Sequence, residues 1–598
     1  MDQPIATEEP TSSVGQPESP ARIDRKLPRR PAMLLFLVVV AGRCAFSLDR
    51  KVFHLFPDEP ATLAMARWLS GGTRWDMATS ATWKPGYSTL MAPLFWLTSD
   101  QTMIIRGGLI IGAVLGGAAA VVTARLALRL TPLSVRGAVL ASGIVALSPA
   151  SLSASAHLWA EPLITLTVLA TVAVLLRYFD APDLRHGLAA VALSAAGYLA
   201  HSRLLPLVLV ATLATGFTSA RHNKWKHSAA FVTAAVVLVA AIEWYANRAY
   251  SALWRDPAET NTVRGVLGQL SDPGAVLLAA SGQIWYLLVS SAGLLGLGAV
   301  IVTRHAAGKA ESSLPSTADA RVLMVTIVPL LGLSMVFMAD RERVDQQIYG
   351  RYNDAVVWPI LIVAIAWLAS IAGKRWVELE RSARVAVFAI GAAILETGLV
   401  ADMTLRSRTN EVLAVPEMVP GIIPALQSPQ QPSALIVTCI GLVAFAGLIV
   451  AARWRSRWPI AFGALALVVL TFGALRTHEV VGKDLNAGLD SASVAELDGG
   501  LIPDQAIVVI GFVPEQLDPG VSLHAQGYYA QLYQWLLPDH RFRVTSSGDY
   551  PDQGLVFAPQ LDPILIDRSA CILWRDPAVG LALWDAGASC ATAESTDA

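Results

Sequence analysis

The stretch FHLFPDEPATLAMARWLSGG, Phe53 to Gly72, follows the first long apolar segment of the chain and carries two adjacent carboxylates, Asp58 and Glu59. An amphipathic segment comes directly after them. We expect it to form a helix that starts at Pro60, because proline is favoured in the first helical turn. This helix is too short to cross a membrane, so the position of the carboxylates depends on the segments around them.

The composition is typical of a protein that crosses the membrane many times. Of its 598 residues, 54% are hydrophobic and 15% are charged, and the mean hydropathy is +0.51. Soluble domains carry about 25% charged residues, so this chain is much poorer in charge. The net charge of −1 provides no basic field for nucleic acid, and we expect no nucleic-acid partner.

Apolar runs and basic loops predict an all-α, polytopic protein of the cell membrane. A spanning helix needs roughly 20 apolar residues. Every second loop is basic, for example RYFDAPDLR and RWRSR, so the positive-inside rule places the N-terminus in the cytoplasm and the C-terminus outside. The thirteen candidate spans are centred on residues 32–49, 103–124, 135–151, 159–178, 186–201, 204–219, 228–246, 283–303, 322–339, 355–373, 384–401, 434–452 and 458–475.

Three regions are predicted along the chain. Residues 1–31 are rich in Pro, Ser and Glu and are expected to form a disordered cytoplasmic tail. Residues 32–477 form the membrane domain, in which PGYSTLMAPLFWL, Pro85 to Leu97, is too short to span and is expected to be a second interfacial helix of the first outer loop.

Residues 478–598 are expected to form a small extracytoplasmic α/β domain. The segments DQAIVVIGFVP, GLVFAP, ACILW and GLALW have the pattern of short buried strands, and HAQGYYAQLYQWLLPD has that of an amphipathic helix. Cys571 and Cys590 are the only cysteines of this region, and an oxidising compartment favours a disulfide between them.

Polar residues that could serve chemistry gather in the predicted outer loops. Glu161 opens a span next to a proline, where it is either functional or simply favourable at a helix N-terminus. Lys84 lies in TWKPGY and is either a phosphate ligand or an interfacial anchor. Arginine and tyrosine also suit phosphate and sugar, although both are common at interfaces. The remaining candidates for binding donor phosphate or sugar are Arg203, Arg341, Arg343, Arg351, Tyr349, Tyr352 and His157.

FPDEPATLAMARWLSGG, WKPGYSTLMAPLFWL and LSPASLSASAHLWAEPL together resemble the GT-C superfamily of membrane glycosyltransferases that use lipid carriers. Protein O-mannosyltransferases and lipid A aminoarabinose transferases are the most similar types, and YGRYND looks like an outer-loop motif of actinobacterial relatives. The resemblance implies a GT-C-like helical bundle in which Asp58 is the leading catalytic carboxylate. Glu59 would support it, Glu161 would be a second acidic group, and Lys84 would bind carrier phosphate. A divalent metal on Asp58 and Glu161 stays open, and no other cofactor is expected.

The expected reaction moves a hexosyl or pentosyl group from a polyprenyl-phosphate-linked donor to an envelope glycan, lipid or protein. A carboxylate base removes the acceptor proton, and cations stabilise the departing phosphate. Two alternatives stay open. A transporter would place charges at the membrane midplane, whereas here they gather at outer helix ends and Arg43 is the main exception. A non-catalytic envelope assembly protein would tolerate changes to the carboxylates.

Overall fold

A computed structural model provides the structure of the chain. It describes residues 25–51, 53, 58–72, 75, 77, 84–253, 268–309, 315–340, 344–372, 374–406, 418–425, 433–452, 471–476, 501–502, 507–511, 534–535, 537, 540–545, 550–576 and 581–589. The predicted tail of residues 1–31 lies mostly outside this set, and the first helix begins at Arg29.

The described part of the chain before residue 477 is helical. Nine of the described helices are long and apolar enough to cross a membrane. Two further pairs of shorter helices are bent, and if each pair counts as one span the total is up to eleven. This confirms the expected all-α, multi-pass membrane architecture. The helices are α1 Arg29–Ser47, α2 Asp58–Leu69, α3 Gly86–Met91, α4 Leu94–Leu97, α5 Gln101–Leu130, α6 Val135–Ala146, α7 Pro149–Ser155, α8 Glu161–Asp180, α9 Leu184–Ala200, α10 Leu205–Arg221, α11 Trp225–Leu253, α12 Pro273–Ser290, α13 Leu294–Ala306, α14 Thr317–Phe337, α15 Arg351–Asp354, α16 Trp358–Ser370, α17 Arg381–Arg406 and α18 Ala434–Ala452.

Three predicted spans are interrupted in the structure. The span predicted at 135–151 is two helices, α6 and α7, which meet at 58° where Pro149 starts a new helix. The span predicted at 283–303 is wrong as a single helix, because α12 ends before Ala292 and Gly293, which both have positive φ. The span predicted at 355–373 begins only at Trp358, and a bend of 80° separates it from residues 346–354. The span at 458–475 lies largely outside the described residues.

The segment after α1 contains short helices, as expected, but one boundary differs. Helix α2 begins at Asp58 rather than Pro60, so both carboxylates belong to its first turn instead of a preceding loop. Proline is tolerated there because the first-turn N–H groups have no partner within the helix. The predicted helix 85–97 is divided by Pro93 into α3 and α4, and both are too short to span a membrane.

Helix α5 packs against α1, α6 and α8 in the middle of the membrane domain. Its small residues allow this close packing. A Cβ atom at Gly117 would lie 2.8 Å from a methyl group of Val40 and 3.0 Å from the ring of Phe36, so α1 and α5 approach closely only because position 117 has no side chain. Both α1 and α5 also contact α7, the helix that precedes the connection to α8.

The last region folds as a five-stranded sheet with a short helix, α19 Pro563–Asp567. Its strands are β1 Ile507–Gly511, β2 Arg541–Thr545, β3 Leu555–Pro559, β4 Ala570–Asp576 and β5 Leu581–Ser589. The strand order is β2-β1-β3-β5-β4, with β1 parallel to β2 and β3, and β5 antiparallel to β3 and β4. Strands therefore occur where four of them were predicted. Cys571 is disulfide-bonded, and its predicted partner Cys590 lies outside the described residues.

Candidate active site

Asp58 and Glu59 are buried in the first turn of α2. Their exposed fractions are 8% and 0%, so neither carboxylate is a solvated surface charge. Carboxylates are favourable at a helix N-terminus because the backbone dipole is positive there. Helix geometry turns adjacent side chains by about 100°, so the two carboxylates face different neighbours.

Glu59 is held on all sides by the protein. Arg50 Nη1 donates to Glu59 Oε1 at 2.9 Å, and Arg50 Nη2 donates to Oε2 at 2.8 Å. The backbone N–H of Leu158 donates to the same Oε1 at 2.9 Å, and Arg50 also donates to the carbonyl of Ala156. Such a two-pronged guanidinium–carboxylate pair is strong and directional. Glu59 therefore anchors α2 to the connection between α7 and α8.

Asp58 instead meets Arg351, which also binds Glu161. Arg351 Nη1 donates to Asp58 Oδ2, and its Nε and Nη2 donate to Glu161 Oε1 and Oε2 at 2.8 and 3.3 Å. The guanidinium lies 3.5 Å from the ring centroid of Trp159, and Arg351 is 4% exposed. One buried arginine thus joins two carboxylates that are about a hundred residues apart in the sequence.

Arg203 lies beside this cluster with its hydrogen-bonding capacity unused. Its guanidinium stacks 3.7 Å from the ring centroid of Tyr352, and its Nη2 is 3.7 Å from Glu161 Oε1, which is too far for a hydrogen bond. The Arg203 side chain is 9% exposed, and none of its three nitrogens has a hydrogen-bond partner among the described residues. A buried donor without an acceptor costs about 1–3 kcal/mol, so this geometry suits an anionic ligand.

Lys84 is paired with a residue of α11. Its Nζ donates to Glu243 Oε1 at 2.6 Å, and the hydroxyl of Tyr198 donates to the same carboxylate oxygen. The ammonium also lies 4.8 Å from the ring centroid of Tyr198. Lys84 is therefore a buried, oriented cation rather than an exposed interfacial anchor.

His201 lies within the electrostatic field of all three cations. Burial first, and then the positive charges of Arg203, Arg351 and Lys84, hold the pKa of the His201 imidazole well below its ordinary value. The backbone N–H of Arg203 donates to His201 Nδ1 at 3.2 Å, which agrees with a neutral ring. The three cations predicted from distant parts of the sequence are therefore close enough to act on one side chain.

The other predicted residues form an aromatic wall or cannot be placed. The rings of Tyr349 and Tyr352 are 4.7 Å apart, and His157 stacks 3.8 Å from Trp159, with its Nδ1 2.8 Å from the carbonyl oxygen of Ser153. His157 thus supports the aromatic ring under Arg351. The predicted Arg341 and Arg343 lie outside the described residues.

Sequence reasoning did not single out several residues that build the site. Arg50 and Trp159 were missed because ion pairs and stacking between loops follow no spacing rule. Their one sequence signal is that each lies close to a candidate carboxylate, Glu59 or Glu161. Tyr198, the second donor to Glu243, has no local signal, because it comes from the end of an ordinary apolar helix.

Trp535 of the C-terminal region was also missed. Its ring makes edge-on contacts with Phe53, Trp75 and Phe95, at centroid distances of 6.0, 5.7 and 6.4 Å. Gln101 Nε2 donates to the carbonyl of Trp535 at 2.5 Å. Phe53 and Trp75 flank α2 in the sequence, so Trp535 holds both ends of the segment that carries Asp58.

One cavity is lined by residues of the cluster, and a second, larger cavity adjoins the first. The first, which we call the small cavity, has a volume of about 30 Å³ and is lined by Glu161 and Arg351 together with mostly apolar residues. The second, the apolar pocket, has a volume of about 410 Å³ and lies between α6, α12, α13, α16 and α18. Ala150 and Asp354 line both, so the two cavities adjoin each other, and Asp354 accepts a hydrogen bond from the hydroxyl of Tyr286.

The arrangement does not fit a divalent metal on Asp58 and Glu161. The Arg351 guanidinium bridges these two carboxylates and brings the positive charge that a metal would supply. Within the ranges that the structure describes, no group of three or more His, Cys, Asp or Glu side chains could hold a metal ion. We therefore derive no step through a metal.

Fold and site together define a multi-pass membrane protein whose helical bundle encloses a buried cluster of carboxylates and cations. No protein-family model and no curated protein matches the sequence. Among solved structures, the chain is similar to ArnT from Cupriavidus metallidurans bound to undecaprenyl phosphate. The identity is 15%, the TM-score is 0.53, and the match covers 94% of this chain and 99% of ArnT.

The arabinosyltransferase EmbB from Mycobacterium smegmatis also matches, at 14% identity and a TM-score of 0.45, over 77% of this chain and 43% of EmbB. Of these two matches, only the one to ArnT has a TM-score above 0.5. At this identity the likeness is one of fold, and it confirms the GT-C-like bundle that the sequence motifs predicted.

Proposed function

We propose that the protein is a glycosyltransferase that moves a sugar from a polyprenyl-phosphate-linked donor to an envelope acceptor. One observation carries this proposal: two members of the buried cluster of Asp58, Arg351 and Glu161 line a small cavity, and this cavity adjoins an apolar pocket of about 410 Å³. A carboxylate–cation cluster suits the transfer of a glycosyl group from a phosphate, and the pocket suits a long hydrocarbon chain. The likeness to ArnT supports it, because that protein binds undecaprenyl phosphate.

In the proposed reaction, Asp58 is the base. It takes the proton of the acceptor hydroxyl while that oxygen attacks the anomeric carbon, and the bond from this carbon to the phosphate oxygen breaks. Base catalysis of this kind contributes typically about 10²–10⁴-fold to the rate. A single displacement inverts the anomeric centre. The acceptor is an envelope glycan, lipid or protein hydroxyl.

The cations receive the charge of the departing lipid phosphate. Arg203 offers N–H donors that no described residue accepts, and Lys84 and Arg351 add positive charge from two further sides. Fixed donors in a dry site stabilise developing charge more than they would in water. Tyr349 and Tyr352 provide the aromatic surface on which a sugar ring can pack. We place the site on the outer face of the cytoplasmic membrane, with the N-terminus inside and the C-terminal domain outside.

The test is a reconstituted transfer assay with Asp58→Asn. Donor lipids are extracted from a strain that lacks the gene, in which the unused donor accumulates, and envelope glycans from that strain serve as acceptors. We expect transfer to fall at least 100-fold while the melting temperature stays close to that of the wild type. Near-normal transfer by this variant would remove Asp58 from the chemistry.

Asp100→Asn is the matched control. Asp100 caps α5 by accepting from the N–H of Met103 at 2.9 Å, and asparagine caps a helix equally well, so this variant should transfer normally. Mass spectrometry of donor and product separates the alternatives. A donor that crosses the vesicle bilayer unchanged would indicate a transporter, and a donor neither moved nor consumed would favour an assembly protein.

A further inference from the structure

Glu243 is a carboxylate of the long apolar helix α11 that the proposed mechanism does not use. Ionisable residues within membrane helices are costly and usually serve a function. In the structure, Glu243 Oε1 accepts hydrogen bonds from Lys84 Nζ at 2.6 Å and from the hydroxyl of Tyr198. Because Lys84 is one of the cations assigned to the departing phosphate, the carboxylate that pairs with it also bears on the reaction.

Glu243 is held more loosely than the carboxylates that anchor the fold. Both of its donors bind Oε1, and Oε2 has no hydrogen-bond partner within the described ranges. Its side chain is 38% exposed, whereas that of Lys84 is 6% exposed. Glu59, in contrast, is 0% exposed and binds through both of its oxygens. Since a carboxylate that water already reaches gains little from its ion pair, Glu243 can exchange Lys84 for water at low cost.

Lys84 is held in place by contacts other than Glu243. Its ammonium lies 4.8 Å from the ring centroid of Tyr198, a cation–π contact. Its backbone leads directly into α3, which packs closely on α9: a Cβ atom at Gly86 would lie 2.6 Å from the carbonyl oxygen of Leu199. The lysine therefore keeps its position when the carboxylate turns away.

A phosphate bound at this site competes with Glu243 for Lys84. Lys84 and Arg203 both act on the imidazole of His201, so an anion that accepts from Arg203 lies in the field of Lys84 and of its carboxylate. Like charges at such short range repel each other. The other two carboxylates of the site are buried and bound by Arg351, which leaves Glu243 as the carboxylate that can yield.

We propose that Glu243 is a displaceable counter-ion of Lys84, which limits how tightly the site holds the phosphate of the lipid carrier. The proposal rests on the proposed function. When the carrier binds, its phosphate oxygens accept from Lys84 and Glu243 turns towards water. After transfer, Glu243 takes Lys84 back, and the polyprenyl monophosphate leaves. Glu243 makes and breaks no covalent bond, so it is a positioning residue.

The test measures binding of undecaprenyl phosphate to the purified full-length protein and to Glu243→Gln. The carbonyl oxygen of glutamine can still accept from Lys84 and Tyr198, so this variant changes mainly the charge. We expect it to bind undecaprenyl phosphate about 3- to 10-fold more tightly, the effect of removing one partly exposed like charge. Undecaprenol, which lacks the phosphate, should bind both proteins equally. Glu243→Asp keeps the charge and should bind the carrier with an affinity close to that of the wild type.

The direction of the change separates this inference from a structural role and from the proposed function. A Glu243 that only holds Lys84 in place predicts weaker binding in Glu243→Gln. Weaker or unchanged binding in that variant, together with weak binding in Lys84→Gln, would overturn the counter-ion and leave the proposed function standing. Wild-type affinity in both variants would overturn the role of Lys84 in the carrier site itself.

Two controls complete the experiment. If undecaprenol also binds Glu243→Gln more tightly, the variant acts on the fit of the chain rather than on charge, which contradicts the proposal. Asp402→Asn is the matched control, because it also removes the charge of a helix carboxylate that pairs with a cation: Arg406 Nε donates to Asp402 Oδ2 at 2.7 Å on α17. This variant should bind undecaprenyl phosphate as the wild type does.

Discussion

Replacing Arg351 by glutamine should lower the stability of the protein and remove its transfer activity. Its guanidinium supplies three hydrogen bonds to two carboxylates, Asp58 and Glu161, in a site where Arg351 is 4% exposed. Removing one partner of a buried ion pair leaves uncompensated charge and costs about 3–5 kcal/mol. We expect Arg351→Gln to lower the free energy of unfolding by this amount and to abolish transfer.

Arg351→Lys keeps the charge but not the planar fork. A single ammonium cannot bind both carboxylates in the same geometry, so at least one charge-assisted hydrogen bond is lost. Such a bond is worth about 1.5–3 kcal/mol, and a loss of this size in the transition state slows transfer roughly 10- to 150-fold. Initial rates in proteoliposomes measure the slower transfer, and denaturant unfolding in detergent measures the loss of stability.

The double variant Arg351→Gln/Glu161→Gln tests the reasoning directly. Neutralising Glu161 removes the uncompensated charge, so part of the stability should return while transfer stays lost. Arg129→Gln is the matched control, because Arg129 also joins two carboxylates, Asp180 and Asp319, at the opposite end of α5. It should lose stability but keep transfer. Normal transfer by Arg351→Gln, or additive effects in the double variant, would refute the cluster as a functional unit.

Three further variants test other parts of the structure. Glu59→Gln leaves Arg50 buried without its carboxylate, so we expect a loss of about 3–5 kcal/mol in unfolding free energy. Asp58→Asn should instead keep its stability and lose transfer. Trp535→Ala should raise hydrogen exchange in α2 and lower kcat, and a phenylalanine at this position should restore both; unchanged exchange would contradict the anchoring role. The folded protein keeps the pKa of His201 well below 6.5, so the unfolded chain binds an extra proton below that pH. The free energy of unfolding should therefore fall as the pH drops below about 6.5, by up to about 1.4 kcal/mol per pH unit. In His201→Gln, the melting temperature should depend less on pH between about pH 5 and 7.5.

The helical architecture could be predicted because an apolar run of about 20 residues, in a chain this poor in charge, is typical of a membrane-spanning helix. The interruptions of the predicted spans could not be predicted from the sequence. Pro149 lies inside an apolar run, and prolines are common in membrane helices, so its presence alone does not predict a 58° bend. Ala292 is an equally ordinary residue, and the preference of alanine does not predict its positive φ.

The candidate residues were predictable, but their partners were not. Acidic and basic side chains at the ends of apolar segments are functional candidates, because placing a charge at the edge of the membrane costs free energy. Whether a cation meets phosphate or a protein carboxylate depends on contacts between distant segments. Lys84 meets Glu243, 159 residues away, whereas Arg203 keeps its donors unused among the described residues. No spacing rule separates these two cases.

The Asp–Glu doublet shows why a motif can be assigned as a unit while its members act separately. On a helix, neighbouring side chains diverge by about 100°, so two adjacent carboxylates cannot both face one reacting atom. In the structure, Glu59 turns to Arg50 and the backbone of Leu158, and Asp58 turns to Arg351. Glu59, which is fully engaged, anchors the helix, and Asp58, which joins the cluster with Glu161, is the carboxylate that we propose for the chemistry. The order of the two residues in the doublet therefore matters, and exchanging them, as Asp58→Glu with Glu59→Asp, should disrupt both roles although the charge is unchanged.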